Sequence, residues 1–148
     1  NELIATGGLP NARALPYQPL EDLRFSLAAA DVHVVALGES MAGIVHPCKV
    51  YGAMAVGRPV LFLGPEPSHV ADLLAQHDIG WSVRHGDVAG MVAAIRACAG
   101  LPAATLAEMG CRARQAIDDS LNPKQLCGML CAALERTFNL PSPTKQNT

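Results

Sequence analysis

Three features that often point to a function are missing from this chain of 148 residues. The 11 Lys and Arg residues do not outnumber the 13 Asp and Glu residues, and a formal charge of −2 indicates no surface for nucleic acid. No apolar run reaches the ~18 residues that a transmembrane helix needs. The histidines and cysteines show no zinc-ligand spacing. We therefore expect no nucleic-acid partner, no transmembrane segment and no metal site.

What the chain does contain is typical of a folded domain. Half of its residues are hydrophobic and 16% are charged, which excludes a disordered chain. Its length fits one domain with a substantial core. We interpret the odd number of cysteines as small buried thiols in a reducing compartment, at positions Cys48, Cys98, Cys111, Cys127 and Cys131. The expected location is the cytoplasm, either free or at the inner face of a membrane.

Short apolar segments alternate with helical patterns in the first 99 residues. This alternation predicts an α/β fold, with a Rossmann-like parallel sheet and right-handed crossovers. The continuously apolar segments are typical of strands buried on both faces. The predicted strands are 12–15, 32–37, 59–63 and 80–83. Ser68 and Asp87 are expected to cap the helices that follow two of these strands.

After Pro102 the pattern changes to helices alone, which we expect to pack outside the sheet. Thr105 and Glu108 have the spacing of a capping box, and Asn122 with Pro123 is a helix start signal. We predict one domain over 1–138, with an α/β part at about 10–99, a helical part at 103–138 and a flexible tail at 139–148. One helix has the amphipathic spacing i, i+3, i+4, i+7 at Val88, Met91, Val92 and Ile95. The last helix is predicted to point its apolar residues inward, at Leu126, Leu130, Leu134 and Phe138.

The segment GESMAGIVHPCKVYGAMAVGRPVLFLGP, residues 38–65, carries the candidate ligand site. It joins a buried strand to a short helix, and in doubly wound sheets ligands bind beyond the carboxyl ends of strands. Helix N-termini offer free N–H groups and a positive dipole end, which suits a phosphate. Gly38 and Gly43 would allow close backbone approach, and Ser40 could donate its hydroxyl. The sequence thus predicts an anionic ligand, a nucleotide diphosphate group.

Lys49, in the first turn of that helix, is a second candidate for diphosphate binding. A cation there opposes the helix dipole, so helix stability does not explain it, although a solvated lysine is the alternative. Arg58 follows Gly57 at the end of the same helix, where a cation is favoured, and we interpret it as structural. Of the five histidines, His46 is the best placed. The alternative for the whole loop is an ordinary connection built from turn residues.

Three segments together resemble the C-terminal half of group 1 (family 4) glycosyltransferases, which have two Rossmann-like domains in the GT-B arrangement. The segments are LPYQPLEDLRFSLAAADVHVVAL at 15–37, PCKVYGAMAVGRPVLFLG at 47–64 and HDIGWSVRHGDVAGMVAAI at 77–95. The resemblance implies a donor-binding domain for a nucleotide-diphosphate sugar, whose sugar passes to a hydroxyl of an acceptor glycan or lipid. It implies no cofactor, because the protein itself stabilises the departing diphosphate.

The resemblance also suggests roles for further residues. In the family, the turn that matches PYQPL holds the nucleobase through its backbone, so Tyr17 either stacks on the base or packs under the following helix. Gly52 stands where many relatives have the second carboxylate of a Glu-x7-Glu motif, which binds the ribose, and Ile44 stands at the first. Glu39 is a candidate substitute from the loop. The resemblance identifies no catalytic residue.

A GT-B site lies between two domains, so we expect this chain to be a fragment or one subunit of a split enzyme. Its partner would be the missing N-terminal domain or a partner subunit. Two alternatives stay open at this point. One is half of a nucleotide-sugar epimerase, which shares the two-domain fold, and the other is a non-catalytic nucleotide-binding or regulatory module.

Overall fold

The computed structural model describes Ile4 and residues 6–138. Its centre is a parallel sheet of three strands in the order β1 (His33–Ala36), β2 (Val60–Leu63) and β3 (Gly80–Val83). In the register, His33 lies beside Val60, and Val60 lies beside Gly80. Three of the four predicted strands are confirmed, each within a residue or two of its expected bounds, and the fold is α/β.

Six α-helices and two 3-10 turns surround this sheet in the described part of the chain. The 3-10 turns are Leu20–Asp22 and Glu39–Met41. The helices are α1 (Leu23–Ala28), α2 (Lys49–Ala55), α3 (His69–His77), α4 (Val88–Gly100), α5 (Ala103–Asp119) and α6 (Pro123–Phe138).

The two faces of the sheet are covered unequally. Both β1–α2–β2 and β2–α3–β3 cross over in the same direction, so α2 and α3 lie on one face, where Phe62 and Val60 are fully buried. Helix α5 packs on these two helices and adds Ala113 to that core. On the opposite face α4 packs Ala94 against Leu61. The main core therefore lies between the sheet and the α2–α3–α5 layer.

Side-chain caps begin three of the helices as the sequence predicts. The Ser68 hydroxyl accepts a hydrogen bond from the Ala71 N–H at 3.4 Å, and the Asp87 carboxylate accepts one from Gly90 at 2.7 Å. The Asn122 side-chain oxygen accepts one from the Gln125 N–H at 2.9 Å. These bonds satisfy N–H groups that have no partner within the helix.

Two local predictions are wrong. Residues 12–15 form no strand, because they lie along the surface with no neighbouring strand to pair with; Leu15 is exposed. The capping box at Thr105 and Glu108 does not form, since α5 already begins at Ala103 with Pro102 in the capping position. Proline presets the backbone angle for entering a helix, and Pro102 lies three residues before the predicted capping residue Thr105.

The inward apolar face predicted for the last helix is also wrong, and the apolar face of the helix from Val88 is mostly exposed. In α4 the buried residues are Ala94 and Cys98, and of the predicted set Met91 alone is partly buried. In α6 no residue is buried, and Leu126, Leu130, Leu134 and Phe138 are all exposed. Helix periodicity identifies an apolar face, but it does not say whether another element covers that face.

The interpretation of the cysteines as buried thiols holds for Cys98 alone. The other four are exposed, and all five are free. Burial raises the pKa of the Cys98 thiol above its ordinary value, which keeps it protonated. The tail predicted at 139–148 lies outside the described residues.

Candidate functional site

A cavity of about 380 Å³ opens at the carboxyl edge of the sheet. Leu37, just after β1, forms its floor, residues 42–47 form one wall, and residues 67–70 at the start of α3 form the other. These segments meet because the strands are parallel, so the chain leaves β1 and β2 at the same edge.

Of the two predicted loop glycines, only Gly43 has a backbone conformation that requires glycine. Gly43 has φ +77°, a left-handed conformation that side chains disfavour, and it lines the cavity. A Cβ there would meet nothing within 4 Å, so the backbone is open to approach. Gly38 has φ −60° and ψ 146°, an extended conformation open to any residue, and precedes the Glu39–Met41 turn.

Two histidines and a tyrosine form a hydrogen-bonded row beside the cavity. The hydroxyl of Tyr51, on α2, lies 2.7 Å from Nε2 of His46 and 3.0 Å from Nε2 of His69. The two imidazole centroids are 4.6 Å apart, and both rings line the cavity. The row connects the loop, α2 and α3. Tyr51 and His69 are 18 positions apart along the chain. We call these three residues the His–Tyr–His row.

The surroundings of His69 and Tyr51 favour the neutral forms of these two side chains. Burial lowers the pKa of His69, and the nearby His46 lowers it further, while Asp72 acts in the opposite direction. Burial also raises the pKa of the Tyr51 hydroxyl, with a smaller contribution from Cys48. Asp72 lines the same cavity.

The end of β3 reinforces this edge of the sheet. His85 donates its Nε2–H to the carbonyl oxygen of Leu37 at 2.8 Å, which fixes the tautomer of His85 and holds the cavity floor. Arg84 donates to the carbonyl oxygen of Glu66, at the turn that leads into α3. Both contacts tie β3 to the segments that form the cavity.

Only some of the site residues predicted from the sequence lie together in the structure. Gly43 and His46 line the cavity. Glu39 and Ser40 lie in the exposed 3-10 turn beside it, and Lys49 is exposed at the first position of α2. None of these last three lines the cavity itself.

Tyr17 and Gly52 lie apart from this cavity. Tyr17 is fully exposed, so it does not pack under α1. A Cβ built on Gly52 would lie 3.5 Å from Cδ1 of Leu27, so position 52 faces α1. A second cavity, of about 370 Å³, lies next to Tyr17 and is lined by Leu15, Pro16, Gln18, Asp22, Phe25, Ser26 and Ala29.

Arg58 is structural, as the sequence predicts. Its Nη2 donates to the carbonyl oxygen of Ala28, the last residue of α1, at 2.7 Å. A carbonyl there has no partner within its own helix, so the guanidinium satisfies it. Arg58 thus holds α1 against the turn after α2.

Sequence reasoning missed Tyr51, His69 and His85. His69 and His85 come shortly after the ends of β2 and β3, and parallel strands bring such positions to one edge, which is the signal that could have identified these two. Their mutual contacts depend on loop paths, which no spacing rule supplies. Among the described residues, no group of three or more His, Cys, Asp or Glu side chains could hold a metal ion.

No single helix in the described part of the chain is long and apolar enough to cross a membrane. Helices α4 and α5 meet that criterion only as a pair, by length and composition, and they are bent by 106° at their junction.

The described residues form an α/β fold with a cavity, lined by apolar and polar side chains, at the carboxyl edge of the parallel sheet. No protein-family model and no solved structure matches this chain. It is similar to the Pseudomonas aeruginosa protein "Probable glycosyltransferase WbjE", with 35% identity over 69 residues. That match covers 47% of this chain and 17% of the other protein.

Proposed function

We propose that this chain is the donor-binding part of a GT-B glycosyltransferase of group 1 (family 4). It would hold a nucleotide-diphosphate sugar, whose sugar moves to a hydroxyl of an acceptor glycan or lipid. The observation that carries this proposal is the cavity of about 380 Å³ at the carboxyl edge of the parallel sheet. Its lining combines an accessible backbone at Gly43 with two imidazole rings.

The diphosphate is the part of the donor that this edge suits best. Backbone N–H groups, helix starts and cations stabilise phosphate oxygens, and they do so most strongly when they are already in place. Lys49 supplies a permanent positive charge at the start of α2. Gly43 and His46 supply an open backbone and a polar ring on the facing loop. No metal or cofactor is needed for this role.

Residues 1–138 would act as one donor domain in this proposal. The acceptor would bind largely to a second domain or a partner subunit, as the resemblance to GT-B enzymes implies. The exposed Tyr17, beside its own cavity of about 370 Å³, would be available to stack on the nucleobase. Gly52 brings no carboxylate for the ribose, and Glu39 is the loop carboxylate that would replace it.

Isothermal titration of the 148-residue chain with nucleoside diphosphates and the matching nucleosides tests the proposal. Lys49→Ala should weaken diphosphate binding, because a charge-assisted hydrogen bond contributes about 1.5–3 kcal/mol. That corresponds to roughly 10- to 150-fold in Kd. Binding of the nucleoside alone should be nearly unchanged, because it carries no phosphate for Lys49 to contact.

Lys124→Ala is the matched control, since Lys124 is exposed in the first turn of α6, away from the cavity. It should leave diphosphate binding unchanged. No binding of any nucleoside diphosphate by the parent chain would contradict the donor-binding proposal. Equal weakening of nucleoside and diphosphate by Lys49→Ala would place the phosphates elsewhere.

A further inference from the structure

The hydrogen bonds of the His–Tyr–His row determine which of its atoms carry protons. Tyr51 has one hydroxyl proton, so it donates to Nε2 of one histidine and accepts from Nε2–H of the other. The histidine that accepts carries its own proton on Nδ1. The histidine that donates has an unprotonated Nδ1. In the described part of the chain, no hydrogen bond reaches either Nδ1 atom.

These proton positions mean that a first added proton and a second one have different effects on the hydrogen bonds to Tyr51. A proton on the free Nδ1 turns both Nδ1 atoms into N–H donors and leaves both bonds to Tyr51 intact. A second proton has to go to the Nε2 that accepts from Tyr51, and it breaks that bond. It also places two imidazolium rings with centroids 4.6 Å apart, which repel each other. The row is therefore built to take up a single proton.

The charged groups around the row influence when it takes up that proton. On the loop and α2 the titratable neighbours are Cys48 and Lys49, and on α3 the neighbour is Asp72. Arg84 and His85 stand at the end of β3, against Glu66 and Leu37. Burial, and to a smaller extent the nearby His46, lower the pKa of His69 and so favour its neutral form in the absence of a ligand. A bound anion would reverse this balance, because it stabilises the protonated imidazole.

We propose that His46, Tyr51 and His69 form an anion site that takes up one proton as it binds a tetrahedral dianion, the terminal phosphate of a diphosphate. This deepens the proposed function and rests on it for the identity of the ligand. When the bond between the sugar and the terminal phosphate oxygen breaks, its electron pair stays on that oxygen, and the phosphate gains one negative charge. The acceptor hydroxyl releases one proton. A site that takes up one proton gains one positive charge, which compensates for the one negative charge that the phosphate gains.

Histidine titrations followed by NMR test this in the parent chain, so no variant has to fold. Sulfate is the first probe, because it stays a dianion across the neutral range and any proton uptake is then the protein's own. Against chloride at equal ionic strength, sulfate should raise the pKa of one histidine of the pair by about 1 or more. Pyrophosphate should act in the same direction. His77, at the opposite end of α3, is the internal control and should not respond.

Two variants separate the row from general charge effects. His69→Gln should weaken sulfate and pyrophosphate binding at pH 6 about tenfold, because one charge-assisted hydrogen bond is lost. Tyr51→Phe removes the hydroxyl that fixes the two tautomers, so the second proton no longer has to break a hydrogen bond and should be taken up at a higher pH than in the parent. The proposal fails if neither His46 nor His69 responds to sulfate or pyrophosphate. It also fails if both histidines become protonated together on binding, or if Tyr51→Phe titrates like the parent.

The same experiment distinguishes this inference from the proposed function. If nucleoside diphosphates bind while both histidines stay unresponsive, the one-proton site is wrong and the donor-binding proposal stands. If sulfate and pyrophosphate shift the pair while no nucleoside diphosphate binds, the anion site stands and the donor-binding proposal is wrong. In that second case the natural ligand is a free phosphate or another phosphate ester.

Discussion

Single arginine side chains hold the ends of three helices in this protein. Arg58 donates to the Ala28 carbonyl oxygen at the end of α1, at 2.7 Å. Arg114 donates to the Ala55 carbonyl at the end of α2, also at 2.7 Å. Arg112 donates twice to the carbonyl of Asp78, just after α3, and pairs with its carboxylate at 2.9 Å. Each guanidinium satisfies a carbonyl at a helix end and binds its own segment to a neighbour.

His69 should make the stability of the fold depend on pH. Its pKa in the folded chain is lowered below the ordinary 6.5, so the folded state binds protons less readily than the unfolded state. The contribution of His69 is complete above pH 6.5 and is lost as the pH falls through the folded pKa. We expect the free energy of unfolding, measured by urea denaturation, to fall between pH 7.5 and pH 5.5.

The variant His69→Gln isolates that contribution, because glutamine does not titrate. Its free energy of unfolding should fall less than that of the parent over the same pH range. His77→Gln is the comparison on the same helix, and it should follow the parent. Identical pH profiles for the parent and His69→Gln would show that His69 ionises as freely in the folded chain as in the unfolded one.

Among the elements, α5 depends on a close backbone approach. Gly110 of α5 lies against Gly57, in the turn after α2, and Gly57 has φ +67°. A Cβ on Gly110 would lie 2.0 Å from the Gly57 carbonyl oxygen, a distance that backbone atoms cannot accommodate without moving. This contact allows Ala113 and Ala116 to reach the core beside α2 and α3. Small side chains on both sides therefore set how closely α5 packs.

Gly110→Ala should destabilise the fold, because α5 has to move away from the α2 turn. Overpacking of this kind costs about 1–3 kcal/mol, which outweighs the better helix propensity of alanine. Urea denaturation measures the change. Gly128→Ala in α6 is the matched control, since a Cβ there meets nothing within 4 Å. It should be neutral or stabilise by up to about 1 kcal/mol. Equal behaviour of the two variants would mean that the Gly57–Gly110 contact is not rigid.

For the whole molecule, the unequal covering of the sheet is the main feature. The face under α2, α3 and α5 contains the continuous core, while the face under α4 leaves a cavity of about 650 Å³. Arg58, Leu61, Ile95 and Cys98 contribute to its lining. Val34, on the edge strand β1, lines it as well and is 65% exposed. The candidate donor cavity lies at a different place, at the carboxyl edge of the sheet.

The proposed function predicts binding without turnover for the 148 residues alone. In a GT-B enzyme the acceptor binds largely to the other domain, so the reacting groups cannot be brought together on this part. We expect no sugar transfer from nucleotide-diphosphate sugars to glycan or lipid acceptors, measured by release of the nucleoside diphosphate. Weak nucleoside diphosphate binding should persist under the same conditions. Measurable transfer by the purified chain would contradict the division of roles between two domains.

Local features of this protein were readable from residue order. The strands at 33–36, 60–63 and 80–83 follow from continuous apolar runs, and caps such as Ser68 and Asp87 act on backbone groups three residues away. Such features depend on neighbours in the sequence, so a sequence pattern suffices to predict them. Gly43 was found in the same way, as a turn residue in the loop after β1.

The His–Tyr–His row and the exposure of α6 depend on packing instead. Tyr51 meets His69 because two crossovers of the same hand bring α2 and α3 together at one edge, and His46 joins them through the path of its loop. The apolar residues of α6 are exposed, and none of them belongs to the core to which α5 contributes Ala113 and Ala116. Contacts of this kind form between segments far apart in the chain, and they depend on the relative positions of whole elements, which no local pattern contains.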